Sequence, residues 1–202
     1  MTTAAPTKAE IRKQAQCERI LAAAHECFVR YGFHNASMAS IAEAADMSPG
    51  LIYRYFENKN AIILAIIEQQ LDITRQRIRE LRSAEDLCEG IIEYYDKQDC
   101  GDPDSMSTAL FLEMSAEATR DEEIAQAIRR FDNMVRQEAT DWLARDPAEG
   151  GHGLPKDVAR ARALALNLFI EGLKARKTRE PDIDRECLLK AVKMIVSTLT
   201  RS

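Results

Sequence analysis

Apolar residues recur every three to four positions along most of this 202-residue chain, which is the spacing of amphipathic α-helices. Few helix breakers interrupt the pattern, since the chain has 8 glycines and 6 prolines, below the usual share of these residues. The first helix is predicted over residues 9–31 and ends at Gly32, the residue type that best adopts the left-handed geometry of a helix C-cap. The pattern predicts an all-α protein.

Two short helices follow the first, separated by a two-residue turn. Ser37 can N-cap a helix over residues 38–45, and residues 46–47 form the turn. Ser48 caps the next helix, which is predicted over residues 49–55 with proline at its first position, where a missing N–H costs nothing.

The rest of the chain shows six further apolar repeats of helical spacing. They predict helices over about residues 58–81, 83–94, 106–114, 124–142, 156–175 and 184–200, with a glycine- and proline-rich loop at 146–155. A basic cluster is interpreted as the cations favoured at the C-terminus of the helix that starts at residue 156. It comprises Lys174, Arg176, Lys177 and Arg179.

The helix predicted over residues 156–175 is apolar in nearly every direction around its axis, so it has to be covered on two sides. One side can face the core of its own chain, but few further helices remain to cover the other. The closing helix repeats apolar residues on one stripe, formed by Leu188, Ala191, Val192, Ile195 and Leu199. Two copies of this helix pair can bury these faces together, which predicts a homodimer.

The pair of short helices has the spacing of a helix-turn-helix. Its second helix has to cross the first steeply and still reach a DNA major groove, so the residues at the crossing must be small. Ala42 and Ala45 meet this requirement, and Ile41, Met47 and Ile52 supply apolar contact.

The exposed positions of the second short helix are predicted to approach base edges. These positions are Pro49, Gly50, Leu51 and Arg54. Hydroxyl and ammonium groups suited to phosphate oxygens surround them, and helix N-termini add their own positive ends. The phosphate candidates are Ser37, Ser48, Tyr53, Tyr55 and Lys59.

Three segments of this region resemble the N-terminal signature of the TetR family of transcriptional regulators. They are GF at 32–33, SMASIAEAA at 37–45 and LIYRYFENK at 51–59. The resemblance covers about fifty residues and is specific in combination, because the tyrosine-rich block follows a helix-turn-helix. It implies that Ser37, Tyr53, Tyr55 and Lys59 hold phosphates, and that the exposed helix residues approach bases.

Two positions depart from the family pattern. Asp46 stands where the family usually has Gly in the turn; it can adopt left-handed geometry at some cost and adds a negative charge near the DNA. Leu51 stands where the family often has Thr, which favours apolar contact with a thymine methyl group over a polar contact.

The charge distribution supports the DNA-binding interpretation weakly. Residues 1–60 carry a net charge of about +1 and the remainder about −6, within a total of −5. Lys8, Arg12 and Lys13 form a candidate basic arm for phosphates or the minor groove. A solvated tail is the alternative interpretation.

No pattern in the sequence indicates a metal, a cofactor or an enzyme. The five cysteines form no CxxC pair and the three histidines lack ligand spacing. No GxSxG, HExxH or P-loop motif is present. The longest apolar run, residues 61–67, is far shorter than the ~20 residues of a membrane span. We therefore expect a cytoplasmic protein without a membrane contact.

Aromatic and methionine residues of the second half are core residues by default, but they also suit a pocket between helices. The candidates for ligand contact are Tyr94, Met106, Phe111, Met114, Phe131, Met134, Trp142 and Phe169. They predict a small-molecule effector that is apolar or amphipathic.

These observations predict a helix-turn-helix DNA-binding domain at residues 1–58 and an effector-binding and dimerisation domain at residues 59–202. The expected function is a homodimeric transcriptional regulator of a palindromic double-stranded DNA operator, acting as a ligand-released repressor. The alternatives are an activator, or a small α-helical enzyme or adaptor with an incidental helix-turn-helix.

Overall fold

The computed structural model describes residues 7–97 and 107–201, and every regular element within them is helical. The all-α prediction is confirmed. The α-helices are α1 (Lys8–Asn35), α2 (Met38–Ala44), α3 (Pro49–Ile52), α4 (Lys59–Glu80), α5 (Ala84–Lys97), α6 (Thr108–Glu117), α7 (Glu122–Ala144), α8 (Lys156–Arg179) and α9 (Arg185–Thr200), with a 3₁₀ turn at Pro147–Glu149. No helix in these described ranges is long and apolar enough to cross a membrane.

The chain divides into two compact units, Met1–Ile66 and Ile67–Ser202. The division lies inside α4, a little beyond residue 58, where the sequence predicted the first domain to end. Helix α4 therefore contributes its first turns to one unit and the rest of its length to the other.

In the first unit, α1 is interrupted at Gly32, which has φ 76° and ψ 159°. A side chain is strained at this positive φ, so glycine permits the break at the predicted position. The turn that follows buries Phe33 against Phe28, with ring centroids 5.2 Å apart. Helix α2 packs against both α1 and α3.

Helix α2 begins as predicted at Ser37, which forms a reciprocal capping box with Ser40. The Ser40 N–H donates to Ser37 Oγ at 3.0 Å, and the Ser37 N–H donates to Ser40 Oγ at 2.9 Å. Helix α3 is shorter than predicted, because it ends at Ile52 rather than Tyr55. The N–H groups of Arg54 and Tyr55 donate to carbonyls three residues back, which tightens this segment into turns.

In the second unit, α8 occupies a central position and packs against α5, α6, α7 and α9. One apolar cluster joins α5, α8 and α9 around Ile92, Leu166 and Val192. Another joins α7 and α8 around Trp142 and Ala159, both fully buried. Helix α8 continues beyond the predicted end at residue 175 to Arg179.

Candidate nucleic-acid interface and effector cavity

The turn between α2 and α3 is fixed by backbone hydrogen bonds. Asp46 has φ 48°, and its N–H donates to the Glu43 carbonyl at 2.9 Å. The Met47 N–H donates to the Ala42 carbonyl at 2.8 Å. Together these bonds form a Schellman motif with Asp46 in the left-handed position. The sequence-based expectation of left-handed geometry at Asp46 is confirmed.

Arg19 of α1 holds this turn from the side. Its Nη2 donates to both the backbone oxygen and the Oδ2 of Asp46, at 3.0 Å each. The Asp46 side chain is almost fully exposed, so the ion pair itself contributes little. The bond to the backbone oxygen ties the turn to the first helix.

The residues expected to approach bases lie on α3 and on the turn directly after it. Pro49, Gly50 and Arg54 are exposed, and Leu51 is partly exposed. A Cβ on Gly50 would meet no atom within 4 Å. Packing within the chain therefore does not require glycine here, and the missing side chain leaves room at this surface.

The side chains whose hydroxyl groups are expected to contact phosphates differ in hydrogen bonding and in exposure to solvent. Ser37 Oγ is engaged in the capping box of α2. Ser48 is the exposed N-cap residue of α3, and its side chain makes no capping hydrogen bond. Tyr53 is 55% exposed, whereas Tyr55 is partly buried.

Lys59 has a role that the sequence did not show. Its Nζ donates to the backbone oxygens of Phe33 at 2.6 Å, His34 at 3.0 Å and Ala36 at 3.1 Å. An ammonium group has three donors, so all three are directed to the end of α1. Nζ also lies 4.6 Å from the centroid of the Phe33 ring. Asn58 caps α4 beside it, accepting the Ala61 N–H at 2.9 Å.

The second unit contains a cavity of about 200 Å³ between α4, α5, α7 and α8. Its wall is mostly apolar, and it includes residues of all four helices. The lining residues are Gln70, Thr74, Arg77, Ile78, Leu81, Leu87, Gly90, Ile91, Tyr94, Tyr95, Phe131, Val135, Asn167, Ile170, Leu173 and Lys174.

Tyr94 and Phe131 are the residues predicted to contact a ligand that line this cavity. Phe111 lies next to it, with its ring centroid 4.8 Å from Lys174 Nζ. Four other predicted residues do not line the cavity. Trp142 is in the core of α7 and α8, and Phe169 packs on the cluster of α5, α8 and α9. Met114 is buried on α6, and Met134 is partly buried on α7. Met106 lies outside the described residues.

Three cysteines of the first and second units, Cys17, Cys27 and Cys88, are not activated thiols. Burial raises the pKa of Cys17, Cys27 and Cys88, which lowers the fraction of reactive thiolate. No group of three or more His, Cys, Asp or Glu residues in residues 7–97 and 107–201 is arranged to hold a metal ion.

Comparisons with known proteins find similarity to transcriptional regulators in both units of the chain. Residues 20–66 match the family described as bacterial regulatory proteins, tetR family. Residues 93–201 match the C-terminal domain of BetI-type transcriptional repressors. The HTH-type transcriptional regulator UidR of Escherichia coli K12 is 32% identical over 155 residues, which are 74% of this chain and 76% of UidR.

A second relative and a solved structure extend the similarity over nearly the whole chain. The HTH-type transcriptional repressor Rv1474c of Mycobacterium tuberculosis is 25% identical over 200 residues, 98% of this chain and 100% of the relative. The structure of GusR from Salmonella enterica has a TM-score of 0.74 at 26% identity, covering 92% of this chain and 95% of GusR.

A helix-turn-helix followed by a separate helical unit, with these relatives, defines a DNA-binding transcriptional regulator rather than an enzyme. The chain belongs to the TetR family of transcriptional regulators. The family resemblance inferred from the sequence is confirmed.

Proposed function

We propose that this protein is a homodimeric repressor that binds a palindromic operator in the cytoplasm and is released from it by a small molecule. The observation that carries the DNA-binding half is the accessible α3 element on its hydrogen-bonded turn. Repression is supported by the relative Rv1474c, which is a transcriptional repressor.

The exposed residues of α3 and of the turn that follows it are proposed to enter the major groove. Arg54 suits the two acceptors of guanine, and Leu51 suits the methyl group of thymine. The open space at Gly50 allows the DNA to approach the backbone closely. The Ser48 hydroxyl makes no capping hydrogen bond and can donate to a phosphate. The side chain of Tyr53 is exposed, so its hydroxyl can do the same.

Ligand release is proposed to act through α4. The same helix carries Lys59 in the first unit and the cavity-lining residues Gln70, Thr74, Arg77 and Ile78 in the second. A ligand that favours one position of this helix would change the affinity of the protein for its operator. A coupling of ~1–3 kcal/mol corresponds to a change of about 5- to 150-fold.

Dimerisation is proposed to use the outer face of α8 with α9. Five residues of α8 at helical spacing are exposed and carry no polar side chain: Ala161, Leu164, Ala165, Leu168 and Gly172. A continuous apolar stripe of this kind marks an interaction surface. A twofold dimer presents two α3 elements to half-sites about 34–36 Å apart, or a multiple of one helical turn.

The DNA-binding proposal is tested by selecting bound sequences from random duplex DNA and measuring affinity for the selected operator at several salt concentrations. Arg54→Ala is then compared with Arg30→Ala, which removes an exposed arginine from α1. We expect Arg54→Ala to cost about 1–3 kcal/mol and to lose discrimination at particular bases. An equal loss on every operator variant would assign Arg54 to the DNA backbone, and failure to select any sequence would overturn the proposal. A transcription assay on the selected operator distinguishes repression from activation.

A further inference from the structure

The charged side chains in the described wall of the cavity are both cations. They are Arg77 of α4 and Lys174 of α8, and no aspartate or glutamate lines the cavity. The rest of the wall is apolar or aromatic, with a few neutral polar groups such as Asn167 and Gln70. A site with this composition favours a ligand of opposite charge over a neutral or cationic one.

Lys174 is held among aromatic rings rather than among acids. Its Nζ lies 5.3 Å from the centroid of Tyr94 and 4.8 Å from that of Phe111. Within the described part of the chain, no hydrogen bond or ion pair ends on this ammonium. No group of the described ranges therefore takes up its three donors, and a bound group within reach can accept from them.

The charges of Glu171 and Asp132 partly balance the charge of Lys174. Burial lowers the pKa of Lys174, and Glu171 and Asp132 oppose that shift through their charges alone. Glu171 accepts a hydrogen bond from Asn167 Nδ2 at 2.9 Å. Burial raises the pKa of Asp132 and so disfavours its anion. A partly buried cation without a hydrogen-bonded partner is costly, and an anionic ligand relieves that cost.

The size of the cavity limits the ligand. An engineered cavity of about 150 Å³ holds one benzene molecule, and this cavity is about 200 Å³. It therefore has room for one ring with a small substituent. The rings of Tyr94 and Phe131 supply flat apolar surface for such a ring.

We propose that the cavity binds a small organic acid, a single apolar ring that bears a carboxylate, with the carboxylate on Lys174 and the ring between Tyr94 and Phe131. Arg77 adds a second positive charge to the same wall. The proposal rests on the proposed function only in identifying this acid as the compound that releases DNA.

The test compares acids with neutral molecules of the same shape. Isothermal titration of the 202-residue chain uses benzoate, phenylacetate and 3-phenylpropionate, each against its primary amide. We expect at least one acid to bind tenfold or more tightly than its amide. No binding by any acid, or equal binding of acid and amide, would overturn the proposal.

Variants at Lys174 assign the preference to this residue. Lys174→Met keeps an unbranched chain but removes the charge, so it should abolish the preference for the acid and leave binding of the amide unchanged. Lys174→Arg should retain the preference. Lys190→Met is the matched control, because Lys190 is exposed on α9 and pairs with Glu186 at 2.6 Å. An acid preference that survives in Lys174→Met would refute the assignment.

The same samples, bound to the selected operator, separate this proposal from the proposed function. Acid binding without DNA release leaves the anion site in place and overturns the identification of these acids as the releasing compounds. DNA release by the amides and not by the acids leaves ligand-released repression in place and overturns the same identification.

Discussion

At the scale of single residues, Asp46 shows how a strained backbone position is stabilised by its surroundings. A non-glycine residue at φ 48° pays a steric cost of roughly 1 kcal/mol. Two Schellman hydrogen bonds and the contacts of Arg19 offset this cost. The aspartate also places a negative charge at the edge of the candidate DNA surface, where it opposes phosphate.

Substitutions at Asp46 should separate the backbone effect from the charge effect. Asp46→Ala is expected to lower the free energy of unfolding by about 1 kcal/mol, because alanine adopts left-handed geometry poorly. Asp46→Gly should stay within about 0.5 kcal/mol of wild type, because relief of strain offsets the greater entropy of the unfolded chain. Both variants, and Asp46→Asn, should bind the operator more tightly. Denaturant titration measures the backbone effect, and DNA affinity measures the charge effect. Equal stability of the Ala and Gly variants would contradict backbone strain at Asp46.

Lys174 should make ligand binding depend on pH. Burial lowers its pKa, against the opposing charges of Glu171 and Asp132. A bound carboxylate favours the ammonium form, so binding raises the pKa and takes up protons. Burial and Glu171 raise the pKa of Asp132, while Arg136 and Lys174 lower it. The titratable side chains in the cavity wall itself are Arg77, Tyr94, Tyr95 and Lys174.

Both groups give the affinity the same sign of pH dependence. As pH rises through the lowered pKa of Lys174, the cation is lost and affinity for a carboxylate falls. As pH falls toward the raised pKa of Asp132, a repelling charge is lost and affinity rises. Titration of phenylacetate in buffers of different ionisation enthalpy should show proton uptake in the pH range where free Lys174 loses its proton. In Lys174→Met the decrease in affinity with rising pH should disappear, and its persistence would assign it to another group.

At the scale of elements, Lys59 joins the start of α4 to the end of α1. Its three hydrogen bonds to carbonyls satisfy acceptors that the end of a helix leaves without partners. A phosphate contact by the same ammonium stays a prediction from the family resemblance.

Lys59→Ala distinguishes the two roles of this lysine by independent measurements. The observed hydrogen bonds predict a loss of about 1–3 kcal/mol in unfolding free energy. A phosphate contact predicts weaker binding to all duplexes and a salt slope reduced by about one. Lys59→Met is the matched variant, because it keeps the stem beside Phe33 and removes the donors. Unchanged stability would refute the capping role, and an unchanged salt slope would refute the phosphate contact.

The helices of both units follow closely from sequence, because capping residues and apolar spacing act locally. Ser37 and the Ser48-Pro49 pair stand at the helix starts that they predicted, and Gly32 interrupts α1 where the sequence predicted its end. The length of α3 did not follow, since turns of i to i−3 bonds after Ile52 have the same local spacing as a helix.

The cavity was only partly predictable. The aromatic character of Tyr94 and Phe131 made them candidates, and both line the cavity. Composition does not show which aromatic residues line a cavity and which fill the core, as Trp142 does. Lys174 was interpreted as one of the cations at a helix end. Because α8 continues to Arg179, Lys174 lies more than a turn inside the helix and lines the cavity.

At the scale of the whole molecule, α8 carries apolar residues on two opposite faces, and only one of them is buried within the second unit. Its inner residues Ala159, Ala163 and Leu166 are buried within the second unit. On the other side, Leu164 is 41% and Leu168 is 60% exposed. On the neighbouring α9, Met194 is 62% exposed. Single exposed apolar residues are common, but a set at helical spacing on one face fits a partner helix.

Leu168→Glu places a charge on the proposed dimer interface, because Leu168 is exposed and lies outside the core. Phe169 is less suitable, because it packs inside the second unit and its substitution could unfold the chain as well as separate the dimer. A buried glutamate facing a second copy is costly, so we expect a shift from dimer to monomer with helicity retained. Leu112→Glu is the control, because Leu112 is an exposed leucine on α6. Sedimentation at micromolar concentration should give a dimer for wild type and Leu112→Glu. A wild-type species near the monomer mass of 22.8 kDa would refute both the dimer and the palindromic operator, because one chain presents a single α3 to the DNA.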